Sequence, residues 1–292
     1  MKEIKRVWAG SWPSDRITLG IILVVWGTIT ARWLVQPGLA VYWGQHLAIL
    51  MVFVGCVAAL VRYEGADWVI WARGLLIINT MFVLYYTLGF VAFDVIPWLG
   101  DPYVLAWEKM LFGRSMSVWI EPYTDSFFWV EFFAFVYGAF IPFVYLSLFF
   151  SFVGRSKEER VVLITGFSVL YALSFLGYLF VPAKGPIVYQ AGAYLGEIEG
   201  GFFHSLVLAS IESAGGPHGA FPSLHVGATF FYCFFDLRYN FLRGLTYLPF
   251  GILIAVATLV MRYHYAIDAV VGIILAMVAI WAGQKLSREV LA

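Results

Sequence analysis

The sequence predicts an all-α, polytopic membrane helix bundle of about eight transmembrane helices, and three observations support this prediction. Hydrophobic residues make up 62% of the 292-residue chain and charged residues only 12%, whereas soluble domains average about 45–50% apolar and about 25% charged residues. Eight apolar runs approach or exceed the length needed to cross a hydrocarbon core of about 30 Å. The basic residues are also divided unevenly between the two sets of loops.

The apolar runs are of similar length except for the sixth, which is short and begins at a Pro-Ser-Leu-His turn. The N-terminal stretch MKEIKRVWAGSWPSD has no small-residue cleavage site, so we expect the first run to be a retained helix rather than a signal peptide. No long polar linker interrupts the chain, so we predict one membrane domain, with an N-terminal helix pair (1–65) before a six-helix core (66–292). The predicted spans are 17–35, 41–61, 71–93, 127–153, 160–182, 222–237, 244–262 and 264–284.

The basic residues predict the orientation of the chain. With the N-terminus in the cytoplasm, all but five of the 18 Lys and Arg residues fall on the cytoplasmic side, as the positive-inside rule requires. Both termini are therefore predicted to be cytoplasmic. The 183–221 loop, the turn at His225 and the hairpin at 262–264 then share the extracytoplasmic face. The five remaining cations are Arg32, Lys109, Arg114, Lys184 and Arg262.

Charge and cysteine content argue against several other classes of partner. The net charge is zero and the isoelectric point is near 7, so we expect no nucleic-acid partner. Cys56 and Cys233 lie within apolar stretches. We therefore expect them to pack as small buried hydrophobic residues and not to form a disulfide or a metal site.

Two polar segments on the predicted extracytoplasmic face contain turn residues. In VPAKGPIVY, Lys184 lies between two prolines, where it can act as an interfacial anchor or can be held by the turn. In GGPHGAFPSLHVG, Ser223 and His225 stand at the start of an apolar run. The free N–H groups and the dipole of a helix N-terminus attract anions, so this turn is either a phosphate-binding site or an ordinary serine cap beside an interfacial histidine.

The third polar segment is RYHYAIDAVVG, residues 262–272. His264 and Asp268 are four residues apart, so on a helix they would share one face and could hydrogen-bond. A carboxylate on one ring nitrogen raises the basicity of the other nitrogen, which would make His264 a base or nucleophile. Arg262 adds a guanidinium suited to phosphate oxygens. The competing interpretation is a histidine–aspartate pair that only orients the hairpin.

Together these segments supply two histidines, a carboxylate, two cations and a helix N-terminus on one face. Phosphate-ester chemistry uses such a set. Cations and N–H donors stabilise the charge of the transition state, one histidine attacks phosphorus, and the other protonates the departing oxygen. Because the cations can supply the positive charge, we expect no cofactor and no metal ion.

The motifs Lys184, Pro222-Ser223-Leu224-His225 and Arg262-x-His264-x-x-x-Asp268 resemble the three signatures of the type 2 phosphatidic acid phosphatase (PAP2) superfamily. The resemblance covers roughly residues 71–284 and implies a PAP2-like six-helix core. It implies His264 as the phosphorus nucleophile oriented by Asp268, and His225 as the general acid and base. The implied phosphate-binding residues are Lys184, Ser223 and Arg262.

A branch of the superfamily is also suggested. The stretch WEKMLFG (107–113), together with FPSLH and HYAID, looks like the inositol phosphorylceramide synthases and their bacterial relatives. Two departures from the family pattern are evident. The first motif of the superfamily ends in Arg-Pro, whereas this sequence has only Lys184-Gly185-Pro186. The third motif usually has an arginine six residues before the nucleophile, where this sequence has Thr258, and Arg262 is expected to substitute for that arginine. Residues 94–126 are predicted to form an amphipathic interfacial segment, acting either as a lid or lipid entrance or as an inert helix.

The predicted function is a lipid phosphatase or phosphotransferase that acts on a phospholipid or lipid phosphate through a phosphohistidine. Hydrolysis is slightly favoured over transfer to a lipid alcohol such as ceramide or diacylglycerol. Three other classes stay open: a metal- or haem-binding membrane protein, a transporter, and a non-catalytic lipid-binding relative. Few ionisable residues lie near the centres of the spans, which disfavours a transporter.

Overall fold

The structure is a computed structural model that describes the backbone of residues 2–291 and the side chains of residues 6–288. Helices account for 80% of it, and residues 2–291 contain no β-strand. The predicted all-α class is therefore confirmed. The helices are α1 (Lys2–Gly10), α2 (Pro13–Trp33), α3 (Ala40–Arg62), α4 (Asp67–Leu88), α5 (Ala92–Val95), α6 (Asp101–Phe112), α7 (Met116–Thr124), α8 (Phe127–Gly138), α9 (Phe140–Phe152), α10 (Lys157–Phe180), α11 (Pro186–Tyr189), α12 (Phe202–Ser213), α13 (Leu224–Tyr239), α14 (Phe241–Val260) and α15 (Ala266–Leu291).

Seven helical segments within the described residues are long and apolar enough to cross a membrane. They correspond to seven of the eight predicted spans, with α8 and α9 together forming one of them. The sixth predicted span is α13, which has only 16 residues and is about 24 Å long at 1.5 Å per residue. Its side chains are mostly buried among other helices, so it does not need the length of a lipid-facing span. The seven segments are Pro13–Trp33, Pro37–Arg62, Asp67–Leu88, Phe127–Phe152, Lys157–Phe180, Phe241–Val260 and Ala266–Arg288.

Close backbone contacts between helices set the position of α13. A Cβ added at Gly272 of α15 would lie 2.5 Å from the Ser223 carbonyl oxygen and 3.1 Å from the Gly227 nitrogen. Only glycine allows this approach, in the way that small residues generally bring membrane helices together. The N-terminal end of α13, which includes His225, is thereby held against the first turns of α15, which begins two residues after His264.

The opposite end of α13 is fixed by a buried ion cluster. Asp236 is fully buried and accepts hydrogen bonds from Arg155 at 2.9 Å and from Arg243 at 2.6 Å. A buried carboxylate is tolerated only when it is paired and hydrogen-bonded, and these two arginines meet that requirement. The cluster lies at the C-terminus of α13, one helix length away from His225.

Candidate active site

The three polar segments predicted to share one face meet at one end of the bundle. The Ile187 N–H donates to the Arg262 carbonyl oxygen at 2.6 Å, and the Ala220 N–H donates to the Ala183 carbonyl oxygen at 3.1 Å. The Ser223 N–H donates to the Asp268 carbonyl oxygen at 3.1 Å. These backbone bonds join every pair of the segments, so the three segments lie side by side at one end of the bundle.

The two predicted catalytic histidines converge. The ring centroids of His225 and His264 are 5.7 Å apart, with the ring planes inclined by 64°. His225, His264 and Lys184 all line a cavity of about 330 Å³, and the Lys184 ammonium lies 4.8 Å from the centroid of the Phe93 ring. The two rings meet edge to face, so a tetrahedral group would lie beside the pair, in the cavity that both rings border.

The orientation of His264 comes from a backbone carbonyl group. His264 Nδ1 lies 2.7 Å from the Ala220 carbonyl oxygen and 3.5 Å from Asp268 Oδ2. A carbonyl oxygen can only accept, so the Nδ1 proton points at Ala220, and Nε2 of the neutral ring keeps its lone pair. Burial lowers the pKa of His264 to about 4, which keeps this ring neutral near pH 7.

The predicted shared helix face for His264 and Asp268 is not what the structure contains. His264 lies in the turn before α15, and Asp268 is in the first turn of that helix. Asp268 Oδ2 accepts the Tyr265 N–H at 2.7 Å, while Oδ1 is buried without a hydrogen-bond partner among the described residues. Asp268 is thus a buried carboxyl group beside His264, and the Ala220 carbonyl is the closer acceptor.

Aromatic side chains enclose His225. Its ring stacks on Tyr137 at 4.3 Å between centroids and lies 4.3 Å from the Phe140 ring. A one-residue break at Ala139 separates α8 from α9 and brings both aromatic residues to this place. His225 has no side-chain hydrogen bond within the described residues, so its ring nitrogens are available to a ligand in the cavity.

Two of the predicted phosphate-binding residues do not face the cavity. Ser223 is buried and caps α13, accepting the Val226 N–H at 3.4 Å. The Arg262 guanidinium donates to Glu121 at 2.8 Å and to the Gly196 carbonyl oxygen at 2.7 Å. A left-handed backbone conformation at Arg262, φ +60°, turns this side chain away from the histidines. Lys184 is therefore the one predicted cation on the cavity wall.

Sequence reasoning missed further residues of the cavity wall. His218, which had no assigned role, lies with Nδ1 2.9 Å from the Gly216 carbonyl oxygen and Nε2 3.2 Å from that of Tyr85. Burial lowers the pKa of His218. The sequence signal that could have identified His218 as a wall residue is its position in the glycine-rich stretch GGPHG, since glycine-rich loops often bring the backbone close to a neighbouring element.

Three acidic residues of the interfacial segment (residues 94–126) are buried and bound to the loops of the site. Asp101 accepts the N–H groups of Lys184 and Gly185, each at 2.8 Å. Glu108 accepts the N–H of Ala266, just after His264, and Glu121 accepts the guanidinium of Arg262, just before it. An acidic side chain in a chain with so few charges was the only sequence signal for them.

No group of three or more His, Cys, Asp or Glu side chains is placed to hold a metal ion within residues 6–288. The lysine of the first motif and the histidines of the other two line the cavity.

The fold and the site define a polytopic membrane helix bundle with a pair of histidines and a lysine around one cavity at one end. A family model of the PAP2 superfamily matches residues 102–282, more than half of the chain, and the protein belongs to that superfamily. All six predicted site residues fall in the matched range. No curated protein and no solved structure gives a significant match to the chain.

Proposed function

We propose that this protein is a membrane-embedded lipid phosphatase or phosphotransferase that works through a phosphohistidine at His264. The observation that carries the proposal is the pair of imidazoles 5.7 Å apart, which line one cavity together with Lys184. Membership of the PAP2 superfamily supports phosphatase or phosphotransferase chemistry in general. His264, His225, Lys184 and Asp268 have distinct roles in the two steps of the proposed reaction.

In the first step, the lone pair of His264 Nε2 forms a bond to phosphorus as the bond from phosphorus to the leaving oxygen breaks. His225 transfers a proton to that oxygen, so the product leaves as an alcohol. Lys184 offsets the charge on the non-bridging oxygens. The His264 ring becomes positively charged on phosphorylation, and the carboxylate of Asp268 at 3.5 Å stabilises that charge.

In the second step, His225 removes the proton of the incoming hydroxyl as its oxygen bonds to phosphorus. The N–P bond then breaks and returns its electron pair to His264 Nε2. Water as the acceptor gives inorganic phosphate, and a lipid hydroxyl gives a new phosphodiester. The residues serve both outcomes equally well.

The cavity supports a lipid as the phosphate donor. Nine of its 21 lining residues are Phe or Tyr, and exposed residues of α4 and α9 are among the lining, from which we infer an opening to the outer surface between these two helices. Tyr86 and Ile141 line the opening and are 42% and 47% exposed. In a bilayer these residues face acyl chains, so a phospholipid or lipid phosphate can place its head group at the histidines while its tail stays in the membrane.

Hydrolysis is the favoured outcome, because it needs only a water molecule beside the phosphohistidine. Transfer of the inositol phosphorylceramide synthase type is the second candidate. It requires a lipid alcohol in the same cavity of about 330 Å³. The aromatic lining and the lateral opening favour this candidate, since they admit a second lipid by the route that the donor uses.

The proposed site faces the extracytoplasmic side, with both termini in the cytoplasm. The asymmetry of Lys and Arg between the loops supports this orientation. Lys184 and His264 lie at the end of the bundle opposite the arginine cluster around Asp236.

Purified protein incubated with a labelled lipid mixture tests the proposal, with products identified by mass spectrometry. Free phosphate indicates hydrolysis, and a new phosphodiester indicates transfer. His264→Ala is expected to abolish turnover and the acid-labile phosphoenzyme, whereas His225→Ala is expected to slow departure of the leaving group. Orthovanadate should inhibit competitively as a phosphorane mimic. Near-normal activity of the His264→Ala variant, or a lack of inhibition by vanadate, would contradict the proposal. Absence of both phosphate release and a trapped phosphoenzyme in the wild-type protein would instead indicate a non-catalytic lipid-binding relative.

A further inference from the structure

We propose that the interfacial segment is a positioning element that holds Lys184 and the His264 hairpin in register through three buried carboxylates, Asp101, Glu108 and Glu121. The catalytic meaning of this inference rests on the proposed function. The three side chains are 0%, 0% and 4% exposed, and none of them lines the cavity. They act on the reaction through the residues that they hold.

Asp101 joins the first motif to the third. Its Oδ2 accepts the Lys184 N–H at 2.8 Å, and its Oδ1 accepts the Gly185 N–H at 2.8 Å and the Tyr265 hydroxyl at 3.0 Å. Gly185 has φ +89°, a conformation that favours glycine and turns two successive N–H groups toward one carboxylate. Since Tyr265 directly follows His264, one carboxylate sets the spacing between the lysine turn and the nucleophile.

Glu108 joins two helix N-termini. Its Oε2 accepts the N–H of Ala266, the first residue of α15, at 2.7 Å. Its Oε1 accepts the N–H of Met116, the first residue of α7, at 2.6 Å. A helix N-terminus has unpaired N–H groups and a partial positive charge, so a carboxylate there is favourable. The start of α15, two residues after His264, is therefore fastened to the interfacial segment.

Glu121 fixes the remaining loop. It accepts the Leu195 N–H at 2.9 Å and the Arg262 guanidinium at 2.8 Å. The same guanidinium lies 3.9 Å above the Tyr194 ring. Arg262 thus has a partner on the segment, on the side of the hairpin that faces away from the cavity.

These bonds argue against a mobile lid. Lifting the segment would leave three carboxylates and at least five N–H or O–H donors without partners, and an unpaired buried polar group is costly. The outer face of the segment has a different character: Trp98, Trp107 and Trp119 are 48%, 40% and 44% exposed. Tryptophans of this kind anchor at the membrane–water interface, which suits a fixed brace at the bilayer surface.

A double-mutant cycle between Asp101→Asn and Lys184→Met tests the inference, with orthovanadate affinity of the full-length protein in detergent as the readout. Asp101→Asn alone should weaken vanadate binding about tenfold to a hundredfold, the range for losing a hydrogen bond to a charged group. In the Lys184→Met background its effect should be clearly smaller, because the cation that it positions is gone and only its bond to Tyr265 still bears on the site. Asp236→Asn is the matched control, a fully buried carboxylate at the other end of α13, and should leave vanadate affinity unchanged.

Backbone amide exchange gives a second readout that does not depend on catalysis. Asp101→Asn should speed exchange in peptides covering 182–187 and 262–266, whereas Asp236→Asn should leave those peptides unchanged. Should Asp101→Asn fail to fold, Tyr265→Phe, which removes one donor, takes its place and should weaken vanadate binding about threefold to tenfold.

Independent effects of Asp101→Asn and Lys184→Met on vanadate affinity would overturn the inference, as would unchanged exchange in both peptides. If wild-type protein binds no vanadate and forms no phosphoenzyme, the proposed function fails. The exchange measurement then decides by itself whether the interfacial segment holds the two loops.

Discussion

Asp268→Asn separates two roles that a carboxylate beside a catalytic histidine can have. Asp268 is fully buried, with Oδ2 3.5 Å from His264 Nδ1. Asparagine has nearly the same volume, and its side-chain oxygen can still accept the Tyr265 N–H that Oδ2 accepts at 2.7 Å. The Ala220 carbonyl at 2.7 Å keeps the proton on His264 Nδ1. The substitution therefore removes the charge and leaves the tautomer in place.

The expected magnitude follows from the distance. Two unit charges 3.5 Å apart interact by about 5 kcal/mol at an effective dielectric constant of about 20. Only part of this is lost, because the positive charge of a phosphohistidine is shared between the ring and its surroundings. We expect the rate of phosphoenzyme formation to fall about 10²- to 10³-fold, or about 3–4 kcal/mol.

Rapid-quench measurement of acid-labile phosphoenzyme tests this expectation, with rates normalised to folded protein. Normalisation is needed because the new amide group occupies the place of Oδ1, which has no hydrogen-bond partner among the described residues. Asp236→Asn controls for the loss of a buried charge elsewhere. A rate within threefold of wild type would refute the electrostatic role of Asp268. A loss of about 10⁴-fold or more would refute the assignment of the tautomer to Ala220, since that is the cost of a wrong tautomer in a serine protease triad.

Three further predictions follow from the site. Arg262→Met should lower thermal stability, because it leaves buried Glu121 unpaired, yet should change vanadate affinity less than threefold; a larger change would place the guanidinium at the phosphate. The acid limb of kcat/KM, after correction for substrate ionisation, should lie near pH 4–5 rather than 6.5, because the depressed pKa of His264 keeps the ring unprotonated down to about pH 4. Over the same window His264 binds a proton in the unfolded chain but not in the folded one, so its contribution to stability is lost as the pH drops from 6.5 to 4, and melting temperatures should depend less on pH in this sense in His264→Ala than in the wild type. Gly89→Ala should disrupt the His218 loop, since a Cβ there would lie 2.4 Å from that ring and 2.0 Å from the Ala214 carbonyl oxygen; unchanged thermal stability would contradict this packing.

The membrane helices could be predicted from the sequence, and so could three residues that line the cavity, Lys184, His225 and His264. Apolar runs of the required length identify membrane helices because lipid leaves the chain few alternatives. The histidines and Lys184 were predictable because turn residues and polar side chains coincide at the ends of such runs. The short length of α13 was also evident, from the position of its Pro-Ser turn.

The direction of individual side chains was less predictable. Helical spacing placed His264 and Asp268 on one face, with Arg262 expected at the same phosphate, but α14 ends at Val260 and α15 begins at Ala266. The N–H groups of Tyr263 and His264 both donate to the Thr258 carbonyl oxygen, at 3.2 Å each. In this turn the side chains of Arg262 and His264 point to opposite sides, so His264 lines the cavity and Arg262 does not.

Long-range hydrogen bonds to the backbone lie outside what a single sequence reveals. The acceptor for His264 is a carbonyl group 44 residues away, and every residue has one. The partners of Asp101 are N–H groups 83 and 84 residues along the chain. Side-chain identity marks neither end of such a bond, so only the folded arrangement shows them.

The contact between Gly272 and the backbone at Ser223 and Gly227 has a consequence for behaviour in different membranes. Main-chain atoms meet there without intervening side chains, so the separation of the two imidazoles is insensitive to how the outer surface of the protein is solvated. Thicker or thinner bilayers should alter the tilt of the lipid-facing helices. Host-lipid composition should accordingly change how often a substrate arrives at the opening between α4 and α9, and should leave the intrinsic rate of the phosphoryl step nearly constant.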